Sequence, residues 1–101
     1  MEETKIDVTD LNIAMHYSLC GDPIVPIVEK LLKNGAIKVE LVTSWTLGSR
    51  EPYDGSELNV RAKDEWGGNV VVALFNHRFR YVSKPDEISI IAPNTYRFWW
   101  D

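Results

Sequence analysis

The strongest constraint on this chain is a change of hydrophobic period at Gly35. Ahead of it, Ile24, Ile27, Val28, Leu31 and Leu32 recur at helical spacing, with Glu29, Lys30 and Lys33 on the opposite side. Behind it, Ile37, Val39 and Leu41 alternate with polar residues, the pattern of a strand with one buried face. Asn34-Gly35 itself suits the left-handed exit of a helix. Helices first and strands after point to an α+β fold. We expect two short N-terminal helices packed on an antiparallel sheet of five or six strands.

Local signals place the elements. Lys5–Val8 reads as a short strand. Thr9 or Asp10 can cap a first helix over Leu11–Cys20, which Gly21 stops. Asp22 and Pro23 suit the cap and first position of the second helix. Ile37–Trp45, Leu58–Lys63, Ile88–Ile91 and Tyr96–Trp100 read as strands, and residues 48–56 as a loop. Gly67-Gly68 reads as a hairpin turn before a central strand, Val70–Phe75, with a tight turn at Asn76-His77. The expected core is Ile24, Ile27, Val28, Leu31, Val39, Leu41, Val60, Val70, Val72, Leu74, Ile88, Ile90 and Phe98.

Composition narrows the class. The 101 residues are 45% apolar and 26% charged, which fits a single globular domain over residues 1–101. No apolar run approaches the ~18 residues of a membrane span. No basic leader followed by an apolar stretch opens the chain, so a secretory signal is not expected. One cysteine leaves no internal disulfide framework, and a cytoplasmic setting is expected, that of a host cell if the chain is virus-encoded. The net charge of −4 starts the chain at a disadvantage for nucleic acid, whose binding rests on neutralising phosphates.

Few constellations carry chemistry. His16 and Cys20, four apart on the expected first helix, share a face and with His77 outline a metal or Cys–His hydrolase site. No further ligand stands at a recognisable spacing, and Cys20 would lie at a helix C-terminus, where the dipole disfavours a thiolate. Acids gather at Glu51, Asp54 and Glu57, at Asp64-Glu65 and at Asp86-Glu87, in the polar company expected of solvated turns. No phosphate-binding glycine loop or nucleophile elbow occurs. Neither a metal nor a cofactor is expected, and no catalytic set is assigned.

The C-terminus is the most unusual stretch, with four aromatics in Tyr96-Arg97-Phe98-Trp99-Trp100-Asp101. On a strand, Tyr96, Phe98 and Trp100 share one face and Arg97 and Trp99 the other. Trp, Tyr and Arg are the residues most enriched at binding hot spots. The expected function is therefore a non-catalytic protein-interaction module: an inhibitor, an immunity-type protein or a viral or mobile-element accessory factor. Its expected partner-binding residues are Trp99, Arg97, Tyr53, Asp54 and Trp66, its partner a protein of basic character, and a homodimer through the C-terminal strand a further expectation. The second reading is a nucleic-acid-binding domain using Arg78, Arg80 and Lys84 as a basic patch on a strand.

Overall fold

The computed structural model describes residues 2–45, 54–77 and 79–101. The elements are β1 (Glu2–Asp7), α1 (Leu11–Ala14), β2 (Ser18–Leu19), β3 (Asp22–Pro23), α2 (Val25–Lys33) and β4 (Ala36–Trp45). They continue with β5 (Asp54–Gly55), β6 (Glu57–Ala62), α3 (Glu65–His77), β7 (Glu87–Ala92) and β8 (Thr95–Trp99). The fold is α+β. Five strands form one sheet in the order β1-β4-β6-β8-β7, antiparallel throughout. A small three-stranded sheet, β3-β2-β5, lies beside it. No described helix is long and apolar enough to cross a membrane.

Strand alternation decides which side becomes the core. Val39 and Leu41 of β4 stand opposite Val60 and Leu58 of β6, which stand opposite Tyr96 and Phe98 of β8. All but Tyr96 in that set are fully buried. Helix α2 covers this face with Ile27, Val28 and Leu31, also fully buried. Each such side chain contributes roughly 1.5–3 kcal/mol. Helix α3 adds Val71 and Phe75, whose ring lies 4.2 Å from Phe98 and 5.6 Å, edge-on, from Trp100. The Trp100 indole N–H donates to the Ser83 carbonyl at 2.8 Å, so the ring is buried with its polar edge satisfied.

Helix α3 corrects the reading of residues 65–77 as a hairpin turn and a strand. Asp64 starts it: its carboxylate accepts from the Gly67 N–H at 2.7 Å and its carbonyl from the Gly68 N–H at 3.0 Å. Asn76 and His77 complete the last turn of this helix and form no tight turn. The two glycines serve close packing. A methyl group at Gly67 would meet the Gly35 carbonyl oxygen at 3.0 Å, and one at Gly68 would run into the Tyr96 ring. Three successive valines favour a strand by propensity, and packing against the sheet overrides it. Helical phase then turns Val71 and Phe75 inward. Val72 and Leu74 are only half-buried, and so is Val70.

Three smaller corrections follow from pairing. Helix α1 is a single turn capped by Asp10, because the chain after Met15 is drawn into β2, which pairs in parallel with β5. Helix α2 starts at Val25 with Pro26 in its first turn, while Pro23 belongs to β3. Ile90, expected in the core, is 73% exposed because β7 is an edge strand. So α2 is the N-terminal helix of substance on the sheet, and the second large helix, α3, comes later in the chain.

At Gly35 two backbones meet closely, and the conformation itself calls for glycine. Its φ is +109°, and a methyl group there would stand 2.7 Å from the Gly67 Cα. Gly35→Ala should therefore cost about 2 kcal/mol or more, lowering the melting temperature by on the order of 10 °C. Gly21, at φ +84° with nothing within 4 Å of an added methyl group, should lose only about 1 kcal/mol to the same change. Thermal unfolding followed by far-ultraviolet circular dichroism checks both.

Candidate functional site: the uncovered sheet face

The alternation that buries one side of the sheet turns a second set of side chains to the other side. Among the described residues no helix or strand lies over this second face. Its side chains form three cross-strand rows. The first is Lys5, Val42, Glu57, Trp99 and Glu87; the second is Asp7, Glu40, Asn59, Arg97 and Ser89. The third is Lys38, Arg61, Thr95 and Ala92.

Arg97 organises the centre. Its Nε donates to Glu57 Oε1 at 2.9 Å, and its Nη1 stands 3.7 Å from Glu87 Oε1. Both carboxylates flank Trp99 in the neighbouring row, so the pairs tie Arg97 diagonally across to the row that holds the half-buried indole. Charge-assisted pairs of this kind fix orientation more than they add stability at a surface. A hollow of about 350 Å³ opens here, lined by Glu3, Val42, Thr43, Ser56, Glu57, Arg97 and Trp99. Val42 and Asn59 are buried although strand alternation places them on this second face.

Asn59 is the anomaly of the face. It is 6% exposed, and its Oδ1 has no hydrogen-bond partner. A buried acceptor left unsatisfied costs roughly 1–3 kcal/mol. Such a cost is retained in few places in a native structure. At the rim of the face, Asp7 is held below the ordinary carboxylate range by hydrogen bonds from the Thr9 side chain and backbone N–H, with Lys38 adding to the effect.

The residues expected to form one partner surface are not brought together. Arg97 and Trp99 sit in adjacent rows, as the alternation predicts. Trp66 is 74% exposed in the first turn of α3, beyond the Ala62 end of β6. Trp99 pairs with Glu57 at the opposite end of that strand, roughly 17 Å away along it and on the other face. Asp54 is occupied structurally: its Oδ1 accepts from Ser18 Oγ at 2.7 Å and from the Gly21 N–H at 2.9 Å, pinning the β2–β3 turn. Tyr53 lies outside the described residues. Strand β8 is paired on both edges, so a second copy cannot add to its backbone and only its side chains are free to touch a partner.

The other candidate sets also change. Arg80 and Lys84 lie on an irregular segment after α3, so the expected basic strand patch is not on a strand. Arg78 lies outside the described residues. His16 falls beyond the end of α1, Cys20 occupies the β2–β3 turn at φ +52°, and His77 ends α3. The four-residue helical spacing of His16 and Cys20 is therefore lost. Burial pushes the Cys20 thiol up, and the carboxylates of Asp54, Asp22 and Asp86 push it further, which keeps it protonated at neutral pH. Among the described residues no group of three His, Cys, Asp or Glu side chains is placed to hold a metal ion.

Asn59 and Val42 were not singled out in the sequence, and Glu57 and Glu87 were noted there only as members of acidic turns, not as partners of Arg97. Their signal was period-2 parity, but using it requires knowing that β4, β6, β8 and β7 are consecutive in the sheet. No family model, no curated protein and no solved structure matches this chain.

The orphaned acceptor is open to a direct test. Asn59→Val should remove the unsatisfied oxygen, suit the strand, and stabilise the fold by about 1 kcal/mol. Urea denaturation should show a higher midpoint with an unchanged slope.

Proposed function

We propose that this chain is a non-catalytic protein-interaction module that docks a partner protein on the uncovered sheet face. The observation that carries the reading is the pairing of Trp99 with an Arg97 already locked by Glu57 and Glu87, beside a hollow floored by Val42. A half-buried tryptophan with a preordered arginine is the composition of a binding hot spot, because little side-chain freedom remains to be lost on docking. The rows of charge around it form the polar rim of such an interface.

The partner is a protein with a basic patch. Around Trp99 the carboxylates of Glu3, Glu57 and Glu87 outnumber the two cations, Arg97 and Lys5. Surplus negative charge of this kind steers a basic surface into contact and sets the orientation. Inhibitors, immunity-type proteins and accessory factors of viral or mobile-element origin act in this way, by covering a partner's surface without transforming it.

The test is capture from nuclease-treated native lysate with the wild-type chain and with Trp99→Ala. Wild type should retain a stoichiometric protein, and Trp99→Ala should lose it at least tenfold while melting within a few degrees of wild type. Retention by both proteins, or capture by neither, contradicts the reading. Arg97→Ala should weaken capture as well, at a cost in fold stability of about 1 kcal/mol for leaving the mostly covered Glu57 carboxylate unpaired.

A further inference from the structure

On the helix side, away from the open face, basic residues from two distant parts of the chain converge. Helix α2 contributes Lys30 and Lys33, and the segment after α3 contributes Arg80 and Lys84. Three hollows of about 360, 180 and 270 Å³ lie side by side there. The first and second share Phe79 and Arg80 as walls, and the second and third share Lys30 and Tyr81. Glu29 is the one carboxylate among the lining residues, and His77 lies at the far end. Among the described residues none of the four cations makes an ion pair. A protein of net charge −4 thus keeps a row of adjoining hollows in which four cations without ion pairs stand against one carboxylate.

The groove also holds an aromatic platform. Tyr81 is half-buried, and the Arg80 guanidinium lies over its ring at 5.2 Å from the centroid. Cations that track a backbone, with an aromatic and an arginine plane on which bases stack, are how single-stranded nucleic acids are held without sequence readout. A concave track of this kind admits a flexible single strand. An acidic peptide would use the cations but would leave the ring without a role.

We propose that this groove binds single-stranded nucleic acid, through phosphate contacts to Lys30, Lys33, Arg80 and Lys84 and base stacking on Tyr81. The site is built from the second half of α2 and the 79–84 segment, and shares no residue with the Trp99 face. Both surfaces can be occupied together, so the chain would link a basic partner to a single strand. The two readings stand or fall separately.

The experiment is fluorescence anisotropy of labelled oligothymidine and oligouridine, each of about twelve nucleotides, titrated with the full chain across a range of salt. Four phosphate contacts predict a slope of log K on log salt of about −3, a loss of roughly 50-fold between ~50 and ~200 mM. Lys33 and Lys84 are both exposed, so Lys33→Gln with Lys84→Gln should leave the melting temperature near that of wild type. The double variant should reduce the slope to about −1.4. Tyr81→Ala should weaken binding at least fivefold with the slope kept, and Trp99→Ala should leave it unchanged. The proposal is overturned by absence of binding at low salt, by a slope that the lysine variants do not move, or by polyglutamate of matched charge displacing the oligonucleotide more effectively than unlabelled oligonucleotide does.

Discussion

A five-stranded antiparallel sheet has two faces, and among the described residues helices cover only one. The inner rows, built from Val39, Leu41, Leu58, Val60 and Phe98, take both long helices. Everything else depends on that one-sided burial. The helices can lie close to the sheet and to each other because Gly35, Gly67 and Gly68 carry no side chain at the points of contact. The outer rows remain polar, apart from Val42 and Trp99 in the first and Ala92 at the end of the third. Antiparallel sheets tolerate this arrangement, since their second face can meet water directly.

Much of this was legible in the sequence, and the failures have identifiable causes. Helix α2 and the strands β4, β6, β7 and β8 were visible in period and punctuation, because single rules acted on them without competition. The parity of Arg97 and Trp99 against Phe98 and Trp100 was visible for the same reason. Helix α3 was not. Gly67-Gly68 is a turn signal when read alone, and Val70-Val71-Val72 is a strand signal. Only contacts across some thirty residues of chain, Gly67 with Gly35 and Gly68 with Tyr96, give those glycines their purpose. Asp64 and Glu65 ahead of an unbroken apolar run were the local cue to a helix start. Helix α1 was shortened by a pairing of β2 with β5 that no local pattern announces.

The candidate site was legible to a lesser degree. Its two central residues followed from alternation, but the carboxylates that fix Arg97 come from two different strands. Trp66 and Asp54 were joined to the site by composition, and topology separates them from it. The basic residues show the opposite error. Arg80 and Lys84 were seen as one local run, whereas the groove they line is completed by Lys30 and Lys33, about fifty residues earlier. The described cations differ by surface in their pairing: Lys38 and Arg97 on the open face meet carboxylates, whereas Lys30, Lys33, Arg80 and Lys84 on the helix side make no ion pair.

One-sided covering makes a sharp statement about two adjacent tryptophans. Trp100 is 4% exposed and donates its indole N–H to the Ser83 carbonyl, while Trp99 looks out from the open face. The direct measurement is paramagnetic relaxation of the indole N–H resonances in solution by an inert gadolinium chelate. The account predicts strong broadening at Trp99 and protection at Trp100. Equal protection of both would mean that the second face is covered, and the layering on which the structure and its proposed binding surface rest would be wrong.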